Sequence, residues 1–245
     1  MGSIAIIPAR GGSKRIPRKN IKDFLGKPVI AYSIEAALSS AVFDEVMVST
    51  DDEEIAGISK RLGASVPFYR SSKLSSDTAM TAQVLVEVLN GYLSKGRYFG
   101  HACCLYPCAP FVSPARINEA MALVARSGAD SVVPVVRFSY PPQRCLVLRG
   151  GKVSMLHPEN YDARSQDFEP LYHDAGQFVC FKVASLMTQQ RLFCEHSLPI
   201  ILPESEVQDI DTEEDWYLAE IKYRSLMQAA ASSSCKGSSG DITKA

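Results

Sequence analysis

Short apolar runs rich in β-branched residues alternate with amphipathic stretches, and this alternation constrains the fold more than any other feature of the chain. Residues 4–7, 45–49, 103–106 and 131–136 read as strands, and residues 29–41, 53–62, 79–93 and 115–125 read as helices interleaved with them. Strands separated by helices are joined by crossovers rather than hairpins, which predicts an α/β architecture with a mainly parallel sheet. Each crossover is expected to be right-handed.

The rhythm changes after Val136. Pro141 and Pro142 interrupt the chain, and Gly150-Gly151 reads as the turn of a hairpin joining residues 144–149 to 152–156. The polar stretch 157–170 is long for a loop inside a compact domain, and loops of that length are usually functional or disordered. Residues 176–182 read as a buried strand and 212–227 as a final helix. From Ala229 the residues are small and polar, so 229–245 is expected to be a flexible tail behind a single domain spanning 1–228.

Composition removes several classes of function. The chain has 26 Lys and Arg against 27 Asp and Glu, a net charge of −1, which gives no general attraction for nucleic acid or an anionic membrane. Its 245 residues suffice to bury a core without disulfides or a structural metal. No apolar run approaches the ~20 residues of a membrane span, and basic residues follow the short apolar start rather than precede it as in a signal peptide. The 7 cysteines form no CxxC pair and are expected to be reduced, mostly buried thiols of a cytoplasmic protein.

Three segments carry the chemistry. Ile7-Pro8-Ala9-Arg10-Gly11-Gly12-Ser13-Lys14-Arg15-Ile16-Pro17-Arg18-Lys19-Asn20 leaves the first strand with two glycines, Ser13 and five cationic side chains. Glycines let backbone N–H groups turn inward as an anion nest, and the cations supply charge, a combination suited to a triphosphate. The segment is neither a Walker loop nor a GxGxxG turn, and a solvated basic loop is the plain alternative. Its place after a first strand favours a ligand, because open α/β sheets bind at that edge.

In Asp209-Ile210-Asp211-Thr212-Glu213-Glu214-Asp215-Trp216, an extended backbone would put Asp209 and Asp211 on one face, within reach of one Mg²⁺. The competing reading is a capping box, with Asp211 or Thr212 as cap and Glu214 or Asp215 three residues on. The third group, 160–167 with 172–178, mixes polar and aromatic side chains as a sugar site requires, and Arg164 is suited to a carboxylate. A polar surface loop is the alternative there. Asp51 or Asp52 is expected to cap the helix at 53, and Arg70 with 75–78 precedes another helix start. Neither GxSxG nor HExxH occurs, which argues against serine hydrolase and zincin chemistry.

Taken together, residues 7–14 and 17–20, Ser49-Thr50-Asp51-Asp52, Ser76-Asp77-Thr78-Ala79 and 209–216 resemble the CMP-sialic-acid synthetase family, over about residues 4–228. These enzymes activate nine-carbon keto-sugar acids with CTP. The sialic-acid branch carries Gln-Pro-Thr-Ser-Pro where this chain has Tyr106-Pro107-Cys108-Ala109-Pro110, and Arg-Pro-Asn-Gly where it has His173-Asp174-Ala175-Gly176. Residues 164–167 and 172–178 look instead like the branch acting on pseudaminic acid, although that branch has aromatic residues where Val179-Cys180 follow Phe178.

The resemblance implies a three-layer α/β/α sandwich of nucleotide-diphosphosugar-transferase type, and transfer of CMP from CTP to pseudaminic acid with release of diphosphate. It assigns Ala9, Arg10, Gly11, Gly12, Ser13, Lys14 and Lys19 to the phosphates. It assigns Asn20, Arg70, Ser76, Asp77 and Thr78 to cytidine, and Asp209 and Asp211 to Mg²⁺. Tyr106, Arg164, Gln166, His173, Asp174 and Gln177 fall to the sugar, with Arg10, Lys14, Lys19 and Asp211 as the catalytic set. It also implies a homodimer joined through an arm at 137–172, with Tyr140, Leu146 and Leu148 at the interface. Transfer to sialic, legionaminic or another keto-sugar acid, transfer to a sugar 1-phosphate, and nucleotide binding without turnover are the alternatives.

Overall fold

The apolar runs do pair side by side, in a computed structural model that describes residues 2–236. Strand β1 (Gly2–Pro8) leads through a long loop and a short ribbon, β2 (Asp23–Phe24) with β3 (Lys27–Pro28), into α1 (Ile30–Ser40). Then come β4 (Glu45–Ser49), α2 (Glu53–Arg61), α3 (Thr81–Leu93), β5 (Phe99–Leu105), α4 (Pro114–Arg126) and β6 (Ser131–Arg137). An arm carrying the hairpin β7 (Leu146–Arg149) and β8 (Lys152–Met155) follows. The chain ends with β9 (Tyr172–Asp174), β10 (Phe178–Lys182), α5 (Val183–Gln189), β11 (Ser197–Ile201) and α6 (Glu213–Lys236).

The strand order is β11-β6-β10-β5-β1-β4, with β9 also on β6. β1 is parallel to β4 and β5, and β11 to β6, whereas β10 is antiparallel to β5 and β6 and β9 is antiparallel to β6. The sheet is therefore mixed. The reversal follows from the arm: Phe138 N–H donates to Leu171 O at 3.0 Å, so the chain returns at the edge where it left and must run back down beside β6.

Side-chain alternation along the strands builds the outer layers. Ala5, Ile7, Cys103, Leu105, Phe178 and Cys180 pack on one face with residues of α1, α2 and α4. Ile4, Ile6, Ala102, Cys104, Val179 and Phe181 pack on the other with α3 and α5. Helices thus cover both faces. Val179 and Cys180 belong to these two cores.

A third cluster holds α6 against the β2–β3 ribbon. Phe24, Tyr32, Phe111, Ile210 and Trp216 are all buried there, with Phe24 and Trp216 edge to face at 5.6 Å. Tyr32 Oη donates to Phe24 O at 2.8 Å. Because Trp216 fastens the start of α6, it also fixes residues 209–211. Trp216→Ala is expected to cost about 3–5 kcal/mol. A urea unfolding midpoint that does not move would remove this anchoring role.

Several sequence expectations need adjustment. Gly150 and Gly151 do form the tight turn, with φ of +56° and +73°. The strand expected from 176 begins at Phe178, because Gly176 is left-handed with φ +64°. The tail expected from 229 is helical as far as Lys236, since Ala229, Ala230 and Ala231 are strong helix formers that let α6 continue. Residues 237–245 lie outside the described residues. Strand β11 was not anticipated, because Pro199 argues against a central strand; it occupies an edge, where proline is tolerated. Cys103, Cys104, Cys180 and Cys194 are buried, and these four with Cys108 and Cys145 are free. Among the described residues no helix is long and apolar enough to cross a membrane.

Candidate active site

The basic loop leaves β1 at the carboxyl edge of the sheet and is tied to the β4–α2 turn. Ala9 N–H donates to Ser49 O at 2.9 Å, and Gly11 N–H donates to Asp51 Oδ1 at 3.0 Å. A Cβ on Gly11 would sit 2.7 Å from Asp52 Oδ2, so only glycine permits this approach. The Gly11 N–H is consequently bonded to Asp51, not open to a ligand as the nest reading expects.

Asp52, not Asp51, caps α2, accepting from Ile55 N–H at 2.9 Å. The same carboxylate grips Arg18 through two contacts of 2.5 and 3.1 Å, and the Arg18 guanidinium holds its pKa below the usual carboxylate range. Arg18 itself sits in the left-handed region at φ +55°, a conformation unfavourable for a side-chain-bearing residue and kept here by its partners.

Asp77 joins the loop from the turn before α3. It pairs with Arg10 at 2.8 Å and also with Lys14. Ser76 and Thr78 face a different cavity, of about 580 Å³, beside Ser71 and Glu87. Arg70 is buried and donates to Ser49 O at 2.6 Å and Ser49 Oγ at 3.2 Å, and desolvation lowers its pKa.

The two carboxylates of 209–211 face one cavity. It measures about 310 Å³ and is lined by Lys19, Asn20, Tyr106, Pro107, Cys108, Asp174, Gly176, Asp209, Ile210 and Asp211. The capping question resolves in its favour. Thr212 Oγ1 accepts from Asp215 N–H at 3.2 Å while Asp215 Oδ2 accepts from Thr212 N–H at 2.8 Å, so Thr212 and Asp215 form the box. Asp211 is thereby spared capping duty; its carboxylate meets Arg15 at 2.7 Å and Lys19 at 3.5 Å. Lys19 Nζ donates to Ile210 O at 2.5 Å. The protein around Asp209 desolvates its carboxyl and raises its pKa, and the neighbouring Asp211 charge adds to the rise.

That pair fits a hard divalent cation, which would relieve the like-charge repulsion. Among the described residues no group of three or more His, Cys, Asp or Glu is placed to hold a metal. A cation there must complete its shell with water and substrate oxygens, which is the habit of Mg²⁺.

Two cavities adjoin this one. The first, about 200 Å³, shares Lys19, Asn20 and Pro107 and adds Arg10, Ser13, Lys14 and Arg15. The second, about 380 Å³, shares Asp209 and Asp211 and adds Arg137, Ser139, His173 and Lys222. The carboxylates therefore stand between a cationic compartment and a mixed polar one.

The expected sugar residues divide. Tyr106, Asp174 and His173 line the cavities beside Asp209. Burial raises the pKa of the Tyr106 hydroxyl. Gln177 is 2% exposed, and its amide donates to Glu206 O at 2.5 Å. Arg164 is exposed on the arm and bonded to Asp167 at 2.8 and 3.1 Å. Gln166 lines a cavity of about 560 Å³ between the arm and the end of β6, which shares Val136, Arg137, Ser139 and Glu204 with the mixed polar compartment. Neither Arg164 nor Gln166 lines a cavity with Asp209. The sequence reading missed Cys108 and did not single out Arg15 or Arg137. For Cys108 a signal was available: it follows a central strand at the sheet edge where α/β ligands bind.

Comparison with known proteins bears on this arrangement. The sequence model of the cytidylyltransferase family matches residues 4–191. A pseudaminic acid cytidylyltransferase of Campylobacter jejuni subsp. jejuni serotype O:2 is 41% identical over 225 residues, covering 91% of this chain and 97% of its own. A CMP-N,N'-diacetyllegionaminic acid synthase of Legionella pneumophila is 35% identical over 237 residues, covering 94% and 99% respectively. Among solved structures, CMP:2-keto-3-deoxy-manno-octonic acid synthetase complexed with CTP superposes with a TM-score of 0.66 over 93% of this chain and 100% of its own. At 17% sequence identity that likeness speaks to the fold.

Proposed function

The chain belongs to the cytidylyltransferase family, and from that premise we propose that it converts CTP and pseudaminic acid to CMP-pseudaminic acid and diphosphate. The observation that carries the reading is the position of Asp209 and Asp211, facing one cavity between the cationic loop and the compartment of His173 and Arg137. Identity of 41% over 91% of the chain to a pseudaminic acid cytidylyltransferase supports the choice of sugar acid.

In this reading the triphosphate lies along Arg10, Lys14 and Lys19, with the backbone of 9–13 beneath it. Asp77 now neutralises Arg10 and Lys14, and a triphosphate displaces it from them. Asn20 and Arg70 hold the cytidine, and the 76–78 turn, whose Ser76 and Thr78 face a different cavity, is not given that role. Asp209 and Asp211 would hold Mg²⁺, which when bound would supply charge neutralisation and lower the pKa of the attacking hydroxyl. The sugar's anomeric oxygen attacks the α-phosphorus in line, and the bond to the departing diphosphate breaks. Arg10 and Lys14 stabilise the charge that builds on that leaving group, and Lys19 the charge on the α-phosphate. Asp211 is the candidate to receive the hydroxyl proton. Tyr106, His173 and Asp174 orient the sugar.

Arg164 and Gln166 are assigned to the sugar site of a partner subunit, across a homodimer joined by the arm. Tyr140 is 87% and Leu148 79% exposed there, areas a monomer would leave wet. Light scattering is expected to give twice the 26.8 kDa chain mass. A monomer at assay concentration removes the partner-site assignment.

The reaction is tested by diphosphate release with CTP and Mg²⁺, comparing pseudaminic with N-acetylneuraminic and legionaminic acids. Release with pseudaminic acid is the expected result. Release only with legionaminic acid keeps the chemistry and moves the substrate, an alternative favoured by the 35% identical legionaminic acid synthase. CTP binding with silence toward all three acids overturns the reading.

A further inference from the structure

Cys108 has no part in the roles assigned so far, yet it begins a short hydrogen-bond chain beneath the nucleotide compartment. Cys108 follows β5 and lines the carboxylate cavity, and its thiol donates to Asn20 Oδ1 at 3.3 Å. Asn20 is 5% exposed, and its Nδ2 donates to Arg10 O at 2.8 Å. A carboxamide has two ends of nearly equal shape, and only its partners decide which end points where. The carbonyl of Arg10 accepts and cannot donate; the thiol supplies the donor that the amide oxygen needs on the other side. The two contacts therefore select one orientation of the Asn20 amide. That orientation bonds the main chain of Arg10, 10 residues upstream, from which the cationic loop hangs.

We propose that Cys108 is a positioning residue that acts through Asn20 to hold the Arg10 backbone in register for the triphosphate. This inference rests on the reading of 10–14 as the nucleotide loop. Burial pushes the Cys108 thiol up to about 12, so it stays protonated, and a donor, through the neutral range. Without the donor, the Asn20 oxygen is left buried beside sulfur's former place, and the flipped amide sets its oxygen against the Arg10 carbonyl. The effect should fall on CTP more than on the sugar, since the thiol's hydrogen-bond partner is Asn20 and, through it, the Arg10 main chain.

The test uses the full chain and measures CTP affinity by calorimetry in the absence of the sugar, then KM for each substrate. Cys108→Ser keeps a donor and is expected to stay within about twofold of wild type. Cys108→Val removes the donor while adding one methyl group and is expected to weaken CTP by about tenfold, the upper range of one hydrogen bond, with KM for the sugar unchanged. On an Asn20→Ala background the Val substitution should add nothing, because the two residues act as one unit. Equal behaviour of the Ser and Val variants overturns the proposal, as does a Val effect that persists undiminished on Asn20→Ala or falls equally on both substrates. Failure of the wild-type chain to bind CTP would instead overturn the functional reading itself.

Discussion

Asp211→Asn is expected to lower diphosphate release by at least about 10²–10³-fold, the scale of losing one preorganised electrostatic group at a reacting centre. The substitution is nearly isosteric, so the cavity keeps its shape. Stability should scarcely change, because Thr212 and Asp215 cap α6 without help from the Asp211 side chain. What changes is charge: the face shared with Asp209 loses half its anionic strength, and Arg15 and Lys19 lose the carboxylate they now meet at 2.7 and 3.5 Å. Turnover measured against Mg²⁺ concentration, with thermal unfolding alongside, separates the possibilities. Retained turnover with a stability loss of about 1 kcal/mol would return Asp211 to a helix-end role.

Lys19→Ala is expected to reduce kcat by about 10²–10³-fold while KM for CTP rises less than tenfold. Lys19 is already aimed: its ammonium rests on Ile210 O at 2.5 Å, at the border shared by the cationic and carboxylate cavities. A charge fixed there before substrate arrives needs no reorganisation as charge develops on the phosphate, so its contribution should be larger in the transition state than on binding. Steady-state kinetics in both substrates decide this. A KM rise with kcat intact would make Lys19 a uniform binding contact instead.

The residues that act through backbone and spacing were the legible ones. The 3.6-residue and two-residue periods placed the main helices and strands, and the position of the basic loop after the first strand located the site's edge. The Asp209–Asp211 spacing was readable, but the competing cap was decided only by seeing Asp215 close on Thr212. Long-range placement was not readable. Arg164 looked like a carboxylate ligand because of its chemistry, whereas in the fold Asp167, three residues away, takes its guanidinium. Gln177 looked like a sugar contact from its neighbours, yet it is buried just before β10 and its amide donates to Glu206 O. The direction of β10 was also hidden, since it depends on where the arm returns and not on any local pattern. Cys108 carried a positional signal that was overlooked among seven cysteines read together as inert.

The place of β10 also sets an order on how the polypeptide can become a protein. β6 finds its sheet neighbours in β9, β10 and β11, all of which follow it, and β10 is inserted between β5 and β6 as their shared partner. A nascent chain halted before residue 172 therefore holds β1, β4 and β5 as one ribbon and β6 without any of its sheet neighbours, with open strand edges on both. Those open edges are templates for pairing with other chains. The final insertion joins residues more than 70 positions apart, such as Cys103 and Cys180, a slow kind of contact to close. During synthesis the danger of misassembly is thus concentrated in the interval between β6 and β10, while the arm is being made.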